Sequence, residues 1–100
     1  MQIGIDLGAT KIEYVVLNKK GEETLRSRVK TPNSYKSTLV KIKNIVQNLD
    51  KKFKKKFVVG ICHPGSLDKN TGRVKNSTNA SWLNNKKLNK DLKKILKRNV

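Results

Sequence analysis

The stretch Ile3-Gly4-Ile5-Asp6-Leu7-Gly8-Ala9-Thr10-Lys11 decides how the rest of the chain is read. Residues 2–7 form a short apolar run bounded by glycine, the pattern of a buried strand. A carboxylate, Asp6, stands inside that run, and an acid in an apolar interior costs free energy unless something pairs with it. Small residues follow at once. A strand that ends in Asp-x-Gly-x-Thr and turns directly into a second strand is suited to phosphate, because small residues let backbone N–H groups approach phosphate oxygens closely. Thr10 adds a hydroxyl donor, and Asp6 faces the same pocket, where it can hold a magnesium ion through water. The same residues also describe a plain hairpin turn with Asp6 capping backbone amides. The stretch alone leaves both readings open.

Working outward, residues 11–18 read as a second strand with Ile12, Tyr14 and Val16 on one face, and residues 22–30 as a third after the Lys20-Gly21 turn. Thr31-Pro32-Asn33-Ser34 is a breaker and a helix start. Leu39, Ile42, Ile45, Val46, Leu49 and Phe53 then recur in steps of three and four, which places them on one helical face. Residues 57–62, Phe-Val-Val-Gly-Ile-Cys, form a continuous apolar run and are expected to be a central strand covered on both sides. His63-Pro64-Gly65-Ser66 ends it, and residues 67–85 read as a polar loop. Leu88, Leu92, Ile95 and Leu96 outline a final short helix. The expected order is β-β-β-α-β-α, an α/β arrangement that another strand would extend.

Composition bounds the alternatives. With 35% apolar residues the chain forms one small domain or a piece of a larger one. No stretch approaches the ~20 apolar residues of a membrane span. Met1-Gln2-Ile3-Gly4 lacks the basic-then-apolar pattern of a secretory signal. The lone Cys62 excludes an internal disulfide, fits a reducing cytoplasm, and is expected to be buried. A net charge of +17 points to nucleic acid or an anionic surface. However, lysine outnumbers arginine 20 to 4 and asparagine occurs 11 times, a bias that an AT-rich genome writes at permissive positions. Arginine is the better phosphate fork, and the basic residues are spread along the chain apart from Lys51-Lys52-Phe53-Lys54-Lys55-Lys56. No specific nucleic-acid partner and no membrane partner is expected. With one cysteine and one histidine, a zinc site within the chain is not expected either.

A second group of residues bears on function. Val58 to Ser66 delivers a Pro-Gly-Ser turn, and Thr71-Gly72-Arg73-Val74-Lys75-Asn76 and Asn79-Ala80-Ser81-Trp82-Leu83-Asn84 follow it. Amides and hydroxyls hydrogen-bond sugar hydroxyls, and one aromatic can shield such a site. Taken alone, the plainer reading is preferred: Trp82 anchors the loop and the asparagines turn the chain.

Together, "IGIDLGATKIE", "RVKTP", "VGICHPGSLDKNTGRVKN" and "NASWLN" with "KLNKDL" resemble the ROK sugar kinases, and among them the bacterial fructokinase type. The resemblance runs from Met1 to Val100, with the four stretches in the family's order and spacing. It implies a ribonuclease-H-like fold of the actin-like ATPase superfamily, with residues 1–100 as the N-terminal part of the first lobe and the second lobe absent. It further implies ATP-dependent phosphorylation of a hexose with fructose preferred, and glucose, mannose or N-acetylglucosamine as alternatives.

By this resemblance Gly4, Asp6, Gly8, Ala9, Thr10 and Lys11 surround the ATP phosphates, with Asp6 near Mg²⁺ through water. Ala9 stands where glycine is commoner, and it is small enough to keep the backbone close. Gly65 and Asn79 are expected to line the sugar pocket. The family's general base, an aspartate in an Asn-Asp pair, falls past Val100, as do its zinc site and second phosphate loop. Phosphoryl transfer needs both sides of the cleft, so the chain alone is not expected to phosphorylate sugars. The full-length protein is expected to be a cytoplasmic homodimer. A basic nucleic-acid-binding module or an inactive fragment are the competing classes.

Overall fold

Alternation along the first strand sets the architecture. The computed structural model describes residues 1–100. In β1 (Gln2–Leu7), Ile3, Ile5 and Leu7 are buried while Gln2 and Asp6 are exposed, the period of two that a half-covered strand requires. β1 pairs antiparallel with β2 (Lys11–Leu17), which pairs antiparallel with β3 (Glu23–Lys30). On its other side β1 pairs in parallel with β4 (Val58–Cys62), giving the sheet order β3-β2-β1-β4. The helix α1 (Tyr35–Phe53) links β3 to β4, and α2 (Leu88–Leu96) closes the chain.

One face of the sheet carries the core. Ile3, Ile5, Leu7, Ile12, Val16 and Val59 pack with Ile42, Ile45, Val46 and Leu49 of α1 and Leu88, Leu92 and Leu96 of α2. The helical stripe from Leu39 to Phe53 is therefore observed, with its two end residues only partly buried. Ser34 starts α1 by accepting the Ser37 N–H at 3.1 Å. Lys54 ends it in the left-handed conformation, φ 53°.

Two expectations are corrected. The run 57–62 is not a central strand covered on both sides. β4 is an edge strand of this sheet, and Val58, Gly60 and Cys62 lie on the uncovered face, Val58 at 64% exposure. Both helices sit on the opposite face, so within the run only Phe57 and Val59 are buried. Residues 67–85 are not a featureless loop. β5 (Ser66–Leu67) pairs antiparallel with β6 (Val74–Lys75), and a 3-10 turn spans Ser81–Leu83. Strands of two residues carry no readable periodicity.

An enclosed ion pair ties the two helices to the start of β4. Arg98 donates to both Asp50 oxygens, at 2.6 and 3.1 Å, and to the Phe57 carbonyl at 2.9 Å. Asp50 also accepts the Phe57 N–H at 3.2 Å. The Arg98 and Asp50 side chains are 11% and 19% exposed. Burial pushes the Asp50 carboxyl up, but the Arg98 hydrogen bonds, the Phe57 N–H and the charges of Arg98 and Lys56 outweigh it and hold it below its ordinary value of 3.8. A carboxyl depressed in the folded state stabilises above its unfolded pKa and loses that contribution as pH falls through the folded value. Arg98→Ala, which strands Asp50, is expected to cost roughly 3 kcal/mol. Urea unfolding at pH 7 and again below pH 3.8 checks this: the gap between wild type and variant should narrow in acid.

Candidate functional site

Because β1 and β4 run parallel, their carboxyl ends open at the same end of the sheet, with Asp6 beside Cys62 in register. Open α/β sheets bind ligands outside the carboxyl ends of their strands. Here that end carries the Gly8–Thr10 turn, which follows β1, and the His63-Pro64-Gly65 segment, which follows β4.

Asp6 is not the buried acid that the apolar run implied. It is exposed on the uncovered sheet face, directly opposite Glu13 of β2. Two adjacent carboxylates repel, but Arg26 holds Glu13 at 2.6 Å. The three ion pairs of the structure are Arg26–Glu13, Arg26–Glu23 and Arg98–Asp50, so none engages Asp6. Its carboxylate is free to take a hydrated cation.

The turn after β1 is held from two sides. The Gly8 N–H donates to the Lys11 carbonyl at 2.9 Å. A Cβ on Gly8 would stand 2.9 Å from that same oxygen, so the close approach requires glycine. Thr31, 4% exposed, crosses from the end of β3. Its Oγ1 donates to the Gly8 carbonyl at 2.8 Å and its N–H to the Thr10 carbonyl at 2.9 Å. The carbonyls of Gly8, Thr10 and Lys11 are thus tied inside the protein. The N–H groups of Ala9 and Thr10 donate to no backbone carbonyl. Lys11 and Lys30 face each other across β2 and β3, both exposed and neither ion-paired. A turn with two N–H donors that no backbone carbonyl accepts, flanked by two uncompensated cations and one free carboxylate, has the chemistry to receive a phosphate with its metal.

The second group is built differently. Gly65 adopts φ +78°, and a Cβ there would lie 2.3 Å from the Lys75 carbonyl and 3.0 Å from the Ser77 nitrogen. Glycine is therefore demanded by the backbone, independently of any ligand. The loop beyond it is clamped by Asn84, whose Oδ1 accepts the Ser77 N–H and whose Nδ2 donates to the Ser77 carbonyl, both at 2.9 Å. The Ser77 hydroxyl donates to the Ala80 carbonyl at 2.8 Å. Asn79 is exposed within this clamped loop. Trp82 is partly buried against the core, consistent with the anchoring role.

Cys62 is exposed, not buried as expected, because it falls on the uncovered face of β4. His63 Nδ1 lies 2.8 Å from the Pro64 carbonyl. No three His, Cys, Asp or Glu side chains converge as a metal cage. Sequence reading missed Thr31, whereas Asn84 clamps the loop as the reading in which the asparagines turn the chain implied. Thr31 stands before Pro32 and reads as punctuation, although "RVKTP" did mark the segment.

Residues 2–100 match the ROK family. The N-acetyl-D-glucosamine kinase of Histophilus somni (strain 129Pt) is 43% identical over 101 residues, covering 100% of this chain and 33% of the relative. Among solved structures, the ROK hexokinase of Thermus thermophilus superposes with a TM-score of 0.82 at 21% identity, over 99% of this chain and 33% of that one, a likeness of fold. The inorganic polyphosphate/ATP-glucomannokinase of Arthrobacter sp. strain KM gives a TM-score of 0.80 at 30% identity, over 99% and 42% respectively. The chain spans about a third of the length of the curated relatives it matches.

Gly8→Ala is expected to push against the Lys11 carbonyl and lower stability by roughly 1–3 kcal/mol. Urea unfolding at pH 7 reads this. An unchanged unfolding midpoint would contradict the close approach.

Proposed function

The chain belongs to the ROK family, and on that premise we propose that it is the N-terminal part of the first lobe of an ATP-dependent hexose kinase. The observation that carries the proposal is the turn at Gly8–Thr10. The Gly8 and Thr10 carbonyls are taken by Thr31 and the Lys11 carbonyl by the Gly8 N–H, while the Ala9 and Thr10 N–H groups remain available beside the free carboxylate of Asp6. In this reading Ala9 and Thr10 donate backbone N–H groups to phosphate oxygens, and the Thr10 hydroxyl adds a third donor. Gly4 and Gly8 keep the chain close, Lys11 supplies charge, and Asp6 holds Mg²⁺ through water. When bound, Mg²⁺-ATP supplies the γ-phosphoryl group that passes to a sugar hydroxyl. Gly65 and Asn79 face the sugar. The general base, a zinc site and a homodimer interface are assigned to sequence outside residues 1–100, in a cytoplasmic protein.

For the sugar, the 43% identity to an N-acetyl-D-glucosamine kinase along the whole chain supports N-acetylglucosamine ahead of fructose. Fructose, the preference implied by the motif resemblance, is the second reading.

The test is a coupled assay of the complete gene product with ATP and a panel of N-acetylglucosamine, fructose, glucose and mannose. The highest kcat/KM is expected with N-acetylglucosamine, and residues 1–100 alone should give no turnover. A preference for fructose by tenfold or more would favour the second reading. Absence of turnover with every sugar would contradict the kinase assignment.

A further inference from the structure

Thr31 lies outside the phosphate turn in sequence, yet it makes two of the hydrogen bonds that shape it. We propose that Thr31 is a positioning residue for nucleotide binding: it fixes the Gly8–Thr10 turn so that the Ala9 and Thr10 N–H groups face the ligand. The inference rests on the kinase reading and deepens it.

A two-strand turn this short exposes several carbonyls and N–H groups, and any carbonyl facing the ligand would repel phosphate oxygens. Thr31 removes two of them from that role, binding the Gly8 carbonyl through Oγ1 at 2.8 Å and the Thr10 carbonyl through its N–H at 2.9 Å. The carbonyl of Lys11, the first residue of β2, is taken by the Gly8 N–H at 2.9 Å. Thr31 is almost wholly buried, so the Oγ1 bond is shielded from competing water. Its place is fixed by register. Lys30 pairs with Lys11, which brings the residue just after β3 level with the turn. Pro32 then biases Thr31 toward extended backbone. Ser34 begins α1 two residues on, which secures the segment from the other side.

The side-chain bond can be deleted alone, because Thr31→Val keeps the shape and the backbone N–H. Thr31→Ser keeps the hydroxyl and serves as the rescue. The complete gene product is titrated by calorimetry with Mg²⁺-AMPPNP and, separately, with sugar. Thr31→Val is expected to weaken AMPPNP binding about tenfold and leave the sugar Kd within twofold, while Thr31→Ser stays within about threefold of wild type for both. Equal losses for both ligands, or no loss for either, would overturn the positioning role, since a merely structural defect does not select one ligand. Wild type that binds no AMPPNP would overturn the kinase reading as well, so the two failures are distinguishable. If Thr31→Val does not fold, hydrogen exchange at Ala9 and Thr10 in Thr31→Ser replaces it. Bound-state protection equal to wild type is expected, and protection lost despite a retained hydroxyl would contradict the proposal.

Discussion

The hydrogen bond from the Gly8 N–H to the Lys11 carbonyl, 2.9 Å long, closes the turn on which the rest of the site depends. It reverses the chain directly from β1 into β2 and leaves no room for a Cβ at Gly8. That reversal fixes the β1–β2 register, with Leu7 opposite Ile12 and Asp6 opposite Glu13. A slip of one residue would carry Ile3, Ile5 and Leu7 to the uncovered face and Asp6 into the core. The apolar alternation and the turn therefore support one another. The core keeps the strand in place, and the turn delivers the acid and the free N–H groups to the same end of the sheet.

Much of this was legible in the sequence because it is written in short-range patterns. The strands, the stripe from Leu39 to Phe53 and the Ser34 helix start follow from periodicity and capping. The Asp-x-Gly-x-Thr turn follows from residue size. What was not legible depends on which face another element covers. The run at 57–62 is apolar enough to be central, but α1 and α2 pack on the same side, which leaves Val58 and Cys62 uncovered. Asp6 looked like a buried acid for the same reason. Thr31 acts over tertiary distance, on residues more than twenty positions earlier. No local pattern announces such a contact. For Gly65 the structure adds a reason that the motif could not, since a Cβ there would collide with the Lys75 carbonyl.

The charge of +17 acquires a different meaning once the pairs are drawn. Only Arg26 and Arg98 among the basic side chains form ion pairs. Arg26 neutralises Glu13 beside Asp6, and Arg98 neutralises Asp50 beneath β4. Lys11 and Lys30 stay uncompensated where an anion is expected. Most other lysines lie on exposed helical and loop positions, where solvent screens them. The organised part of the charge is small and sits at the turn.

The most direct measurement of the central claim is the amide NMR spectrum of the ¹⁵N-labelled complete gene product, with and without Mg²⁺-AMPPNP, followed at Ala9 and Thr10. The account predicts downfield shifts and slowed hydrogen exchange at both amides, as expected when each donates to a phosphate oxygen, while amides on the far side of α1 stay unchanged. Nucleotide binding that leaves Ala9 and Thr10 unshifted would contradict it, because the phosphates would then be held by a different part of the protein.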